Sequence, residues 1–365
     1  MPMFRLSFSP PRQLAIFSAN MNYLTEPRCV QIAPKTLRPL KLKTRKYGIY
    51  IIIHLCFNMY IIIYTLNPDD INTAVYESLS ANLYAVRAEW RRLMPTERHR
   101  AVIEYYSRKM KGNCPVFSNI SGAVMRDIPV PPRISYRPHC YSTAKRHLGK
   151  NLIRWHFSTA YLDFDLIGGA RVAKPERVVV DLASSLDAKA ALTALNHCIA
   201  AGHFSAAALA KSLCKNSGIP GNKKLSLLLP FANAKCESPM ETLAWLTIYQ
   251  AGLVMPEQQV TLSDADRFLG RVDMRWQIDK RSNRRSIVAE LDGKIKYTDK
   301  EAIFSEKKRE DRITEAGHKV LRFTWADIQS GKMISRLKDI GIPERRNFGR
   351  KFPRWDSDPE INSLD

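Results

Sequence analysis

Three carboxylates in the C-terminal third of the chain have the types and spacing that chemistry needs: Asp273, Glu290 and Asp292. Asp273 lies inside Gly270-Arg271-Val272-Asp273-Met274-Arg275-Trp276, and Glu290 closes the apolar run that starts at Ser286. That run continues as Leu291-Asp292-Gly293-Lys294-Ile295-Lys296-Tyr297. Residues two apart on a strand share a face, so Glu290 and Asp292 point one way while Ala289 and Leu291 pack on the other. If the strand carrying Asp273 pairs beside Glu290, three acids converge. Such a cluster is costly without a cation, and hard oxygen ligands suit Mg²⁺ or Mn²⁺. All three acids are candidate metal ligands, and Lys294 and Lys296 stand just beyond, where an ammonium holds a phosphate or orients a water. A divalent ion so held fits hydrolysis of a phosphodiester: it polarises the phosphoryl oxygen and lowers the pKa of the attacking water. The competing explanation is an exposed strand end with solvated charges, to which acids with apolar flanks on two successive strands are less suited.

More charged residues stand near this constellation. Glu241 falls in the first turn of a helix that opens Ser238-Pro239-Met240, and either reaches the site through water or complements the helix dipole. On a later helix Ile303, Glu306, Glu310 and Ile313 share a face, which turns Glu306 or Glu310 inward beside Arg309, although a surface ion-pair ladder accounts for most charges of SEKKREDR. Arg322 shares a strand face with Val320 and Thr324, in reach of a phosphate or of one of the acids. Arg271, Arg309 and Arg322 are the expected nucleic-acid contacts. His318 reads as a turn residue after Gly317, and none of His197, His203 or His318 stands in a nucleophile motif.

The elements that must position these residues follow from local signals. Ser238 as N-cap and Pro239 at the first helical position start a helix that stops near Gly252. Strands are predicted at Gln258 to Leu262, around Asp273, and at Ser286 to Leu291; a helix then runs to Gly317 and a strand from Val320 to Trp325. Helix, three strands, helix, strand is an α/β plan around a small mixed sheet. Upstream, Ala74, Tyr76, Leu79, Leu83, Val86, Trp90 and Leu93 recur at three- and four-residue steps, which predicts helix over 70–112. Proline-punctuated apolar pieces over 114–182 predict a small mixed or β-rich module, and the apolar stripe from Pro175 to Phe231 predicts helices, with a turn at Gly218 to Gly221.

Composition sets the class of partner. The chain has 365 residues and a formal charge of +22, with 45% hydrophobic and 9% aromatic residues, which excludes a wholly disordered basic tail. The excess is densest from Arg87 to Arg154, where 15 basic residues face four acidic ones, among Tyr105, Tyr106, Tyr136 and Tyr141, with Trp155 alongside. Cations interleaved with aromatics suit a phosphate backbone with bases to stack on, and equally a solvated helix face followed by a basic loop. The seven cysteines are odd in number and never spaced as C-x-x-C, which points away from a zinc site or a disulfide framework and toward a reducing cytoplasm. No secretory signal peptide is expected, because Pro10, Pro11 and Arg12 break the first apolar stretch. Tyr47 to Leu66 is an uncharged run preceded by basic residues and ended by Asn67-Pro68; it reads as a membrane anchor, as translated sequence upstream of a start at Met59, or, with less support, as a buried element.

The string ESPMET…AGL…PEQQV…GRVDMRW…AELDGKIKY…SEKKREDRITEAGHKVLRFTWAD resembles the C-terminal domain of actinobacterial proteins related to the very-short-patch-repair endonucleases, in the PD-(D/E)XK restriction-endonuclease-like superfamily. The segments Val116 to Ala123 and Pro175 to Ala183 resemble the middle region of the same proteins, which are similar to antitoxins of abortive-infection type IV toxin–antitoxin systems. The resemblance covers about residues 114–330. It implies that Asp273 is the first metal-binding acid and Glu290 the second, and that Asp292 stands where many superfamily nucleases carry lysine, so that Lys294 or Lys296 substitutes or the site binds without cutting. It also implies an opening winged-helix module, which this chain does not clearly show. The expected organisation is therefore a basic and hydrophobic N-terminal segment (1–66), a basic antitoxin-like interaction region (67–235), a restriction-endonuclease-like unit (236–346) and a tail (347–365). The expected function is Mg²⁺-dependent cleavage of DNA in repair or phage defence. The alternative is a catalytically inactive DNA-binding antitoxin or regulator with a toxin partner protein.

Overall fold

The computed structural model describes residues 74–80, 83–110, 115–142, 152–157, 162–215, 218–264, 267–277, 286–293, 300–346 and 351–352, less the side chains of 300–303 and 306, together with the backbone of three short N-terminal strands. Those strands, β1 (Lys41–Lys43), β2 (Gly48–Tyr50) and β3 (Ile63–Tyr64), pair in a sheet with β4 (Tyr76–Ser80) and β5 (Leu83–Val86), in the order β1-β2-β3-β5-β4. Apart from β2 and β3, the run 47–66 lies outside the described residues, and among the described residues no helix is long and apolar enough to cross a membrane.

The helix expected over 70–112 begins later than its periodicity suggests. Tyr76 pairs with Val86 and Ser78 with Tyr84, so the first part is an antiparallel pair, and the four-residue step from Leu79 to Leu83 coincides with burial on strands. Long-range pairing of residues such as Tyr76, Tyr84 and Val86, which fit a pleated surface well, overrides a short local period. Helix takes over at α1 (Arg87–Arg92) and, after Pro95 resets the chain, α2 (Pro95–Lys109).

The middle of the chain is built on a second five-stranded sheet. Its strands are β6 (Val116–Phe117), β7 (His139–Ser142), β8 (Arg154–Phe157), β9 (Phe164–Ile167) and β10 (Ala170–Ala173), in the order β8-β7-β6-β10-β9, with α3 (Asn119–Met125) following β6. Val102, Ile103 and Tyr106 of α2 join Phe117, Cys140 and Val172 in one core. A helical layer follows: α4 (Pro175–Ser185), α5 (Ala188–Ala200), α6 (Ala206–Lys215) and α7 (Asn222–Leu228), closed around Leu182, Leu192, Leu195 and Leu225.

The C-terminal part is a three-layer unit. Helix α8 (Pro239–Gln250) leads to β11 (Glu257–Asp264), β12 (Arg267–Gln277) and β13 (Ser286–Leu291), then α9 (Lys300–Glu315), β14 (Lys319–Phe323), α10 (Trp325–Gln329) and α11 (Lys332–Asp339). The sheet order is β11-β12-β13-β14, antiparallel except for the parallel pair β13 and β14, so it is a mixed sheet flanked by helices, as expected. Met274, Ile287, Ala289 and Phe323 face α8 and α11, while Val272 and Val288 lie with Ile313 of α9 in the core on the other side. Strand β14 stops at Phe323 rather than at Trp325 because Thr324 caps α10: its hydroxyl accepts from the Asp327 amide, and the Asp327 carboxylate accepts from the Thr324 amide.

Burial decides the state of several polar groups in the middle unit. The neutral His99 ring is wholly inside, with Nδ1 donating to the Ser135 carbonyl at 2.6 Å and Nε2 accepting from the Ser121 hydroxyl at 2.8 Å. His139 Nδ1 and His156 Nε2 share a hydrogen bond at 3.1 Å. Burial pushes His99 and His156 down to about 4. The unfolded chain then takes up protons near pH 6.5 that the folded chain refuses, so the stability held above pH 6.5 is lost as pH falls toward 4. We expect the urea midpoint to fall between pH 7 and pH 5, and the His99→Gln variant, weaker at pH 7, to show a smaller fall.

Candidate functional site

The site is assembled by one register. Met274 pairs with Ala289 and Trp276 with Ile287 across β12 and β13, which sets Asp273 beside Glu290. On the next strand Glu290 pairs with Arg322 and Leu291 with Phe323. Ala289 and Leu291 turn into the core under α8, as their alternation predicts, and leave Glu290 and Asp292 to the face toward α9. The Leu291 amide donates to one Asp273 oxygen at 2.8 Å, so the carboxylate of β12 terminates the ladder where β13 runs out. Asp273 is half-buried, and its carboxyl is raised above the usual range, mainly by burial and further by the charge of Glu241; the Leu291 amide, Arg271 and Arg309 pull the other way.

Each of the other two acids has an arginine. Arg309 of α9 donates to Glu290 at 3.0 Å and to the Arg271 carbonyl at 3.1 Å. Its side chain lies over Gly270, where an added Cβ would come within 3.2 Å of Arg309 Nη1. Arg322 donates through Nη1 to both oxygens of Asp292 at 3.1 Å and through Nε to Glu310 at 2.9 Å. Arg271, on the exposed side of β12, forms a two-pronged pair with Glu237 at 2.9 and 2.8 Å. All three arginines expected to meet DNA therefore hold carboxylates of their own chain. Glu310 is turned toward β14, as one of two options for that helix face; the side chain of Glu306, and Lys294 and Lys296, lie outside the described residues.

Glu241 is 6% exposed at the start of α8, where Ser238 caps the helix by accepting from the Glu241 amide at 3.1 Å. Its carboxylate accepts from the Glu237 amide at 3.0 Å and from Gln259 Nε2 at 2.7 Å. Gln259, on β11, is the neighbour that the residue pattern did not single out: as one of two adjacent glutamines at the start of a predicted strand it carried no charge signal. Among the described residues no group of three or more His, Cys, Asp or Glu is placed to hold a metal ion. Asp273 and Glu290 are adjacent, Asp292 is drawn away to Arg322, and Glu241 acts on Asp273 through its charge.

The aromatics of the basic stretch are mostly interior. Tyr105 and Tyr106 are buried, Tyr136 meets Trp90 edge-on, and Tyr141 donates to Asp181 while accepting from Arg177. They serve packing and hydrogen bonding inside the fold and offer no open stacking platform. His318 does follow the turn, yet it is buried, and its Nδ1 is hydrogen-bonded to Ser286 at 2.8 Å, which ties the end of α9 to the start of β13. None of Cys140, Cys198, Cys214 and Cys236 is in a disulfide. Compared with known proteins, the chain matches no family model, no curated protein and no solved structure.

The arginine pairs carry a measurable weight. Arg309 and Glu290 are 23% and 12% exposed, between a buried pair, whose breaking costs about 3–5 kcal/mol, and a surface pair worth about 0–1 kcal/mol. Arg309→Met leaves Glu290 without this partner, and urea unfolding should register a loss of about 1–3 kcal/mol. Arg271→Met, on the exposed pair, should leave the midpoint within error.

Proposed function

We propose that the chain is a DNA-acting protein of the metal-dependent nuclease type, with Asp273 and Glu290 as its acid pair. The observation that supports this most is the register that sets the two side by side at the end of a mixed sheet, with Asp273 hydrogen-bonded to the Leu291 amide. The mixed sheet flanked by helices supplies the α/β frame that this reading requires. The donor set fits a hard cation: Mg²⁺ is commonly held by one or two carboxylates while it keeps several waters, so a third protein acid is not required. Asp273, partly buried and with no ion pair of its own among the described residues, carries a charge that burial disfavours and a cation would relieve.

Bound there, Mg²⁺ or Mn²⁺ would supply Lewis-acid stabilisation of the phosphoryl oxygen and a more acidic water. The chain itself contributes the rest. Asp273 and Glu290 bind the ion, the Leu291 amide fixes the orientation of Asp273, and Arg309 and Arg322 lie close enough to turn from carboxylate to backbone phosphate. The basic segment from Arg87 to Arg154 adds non-specific affinity through counterion release. Lys294 and Lys296 are the proposed phosphate-orienting groups, given that Asp292 occupies the usual lysine position.

A second reading, a non-catalytic DNA-binding regulator working with a toxin protein, is favoured by one observation: both oxygens of Asp292 and one of Glu290 are held by arginines. Incubating the full chain with plasmid and Mg²⁺ or Mn²⁺ separates the two. Cleavage that drops at least about a hundredfold in Asp273→Asn and Glu290→Gln is the expected result. Binding that weakens with salt in all three proteins while none of them cuts would sink the nuclease reading and leave the regulator.

A further inference from the structure

Gln259 is held in a conformation that glutamine rarely adopts inside a strand, with φ at +54°. Its neighbours keep the ladder, Gln258 with Met274 and Val260 with Val272, so the register puts Gln259 opposite Asp273, which in turn lies beside Glu290. A left-handed backbone is strained for a residue with a Cβ and persists only where its surroundings hold it. The side chain is held at one end: Nε2 donates to the buried Glu241 carboxylate at 2.7 Å. At the other end Oε1 is closed off from solvent and accepts no hydrogen bond among the described residues, which is costly for a buried acceptor. Flipping the amide gives no relief, because it would aim Oε1 at the carboxylate and leave Nε2 unpaired. A residue whose only task was to bend β11 would need neither the link to Glu241 nor the unmatched oxygen, and glycine would do that task without the steric strain.

We infer that Gln259 is a positioning residue of the acid site, whose amide nitrogen holds the Glu241 carboxylate at the end of the row that carries Asp273 and Glu290. This rests on the metal-binding reading above and adds the outer layer that orients such a site. Groups that act on a metal through another residue or a water are worth about 10–100-fold in affinity. Gln259 lies on the far side of Asp273 from Glu290, so the row across the sheet runs from amide to acid to acid and ends at Arg322.

The test uses the full chain without DNA and reads Mn²⁺ affinity by electron paramagnetic resonance beside the thermal midpoint. Two variants are compared: Gln259→Gly, which removes the amide and relieves the backbone, and Gln259→Met, which keeps the length. Expected is a tenfold or greater loss of Mn²⁺ affinity in both, about 10–100-fold, with the midpoint of Gln259→Gly at or above that of the parent. Parent-like Mn²⁺ affinity in either folded variant overturns the assignment. If the parent itself binds no Mn²⁺, the metal reading fails, and the Gln259 side-chain amide then decides by nuclear magnetic resonance. A signal that shifts in Glu241→Gln upholds the positioning of Glu241, and one that does not respond removes it.

Discussion

One register between β12 and β13 governs the C-terminal unit. With Met274 opposite Ala289, the side chains of β13 alternate between the core under α8 and the face toward α9, and Asp273 comes to lie beside Glu290 at the end of the ladder. A slip of one residue would send every side chain of the strand to the opposite face, placing acids in the core and apolar groups outside. The apolar cores on both faces hold this register, so hydrophobic packing and the placement of charge are one constraint. The parallel partner β14 extends it, since the Asp292 amide donates to the Phe323 carbonyl at 2.9 Å and Arg322 is carried up to the acids.

Much of this was legible from residue order because the governing signals are local. Ser238, Pro239 and Glu241 announce the start of α8, and the run from Ser286 to Leu291 is a strand with the ends that its composition suggests. Alternation also assigned Ala289 and Leu291 to the core. Illegible features depend on partners distant in the chain. Nothing local distinguishes Tyr76 to Val86 from an amphipathic helix until Tyr76 meets Val86 across a sheet. Likewise, spacing could offer Arg322 a phosphate or an acid, and only the fold gives it Asp292 and Glu310 together. The left-handed backbone of Gln259 has no signature in composition at all.

The positive charge and the site have an internal relation that totals conceal. Arg309 and Arg322 neutralise acids that would otherwise repel one another on a half-buried face, so the unit tolerates Glu290 and Asp292 side by side. Any polyanion would have to compete with these acids for the same guanidinium groups. Upstream, Arg177 is likewise turned inward, stacked on Tyr141 and paired with Asp181, so part of the basic excess serves structure before it serves any partner.

Helix α8 belongs to two cores. Met240, Ala244 and Ile248 pack on the C-terminal sheet, whereas Leu246 is buried with the helical layer, and Trp245 and Tyr249 pack against that layer together with Phe352. Thr242, next to Glu241, accepts a hydrogen bond from Asn196 of α5 at 3.1 Å. A fragment cut free near residue 236 would carry that apolar strip bare into water and would tend to self-associate. The acid-bearing sheet is therefore not a cassette to be excised, transplanted or shuffled onto another protein: whatever inherits the acids inherits the helical layer with them.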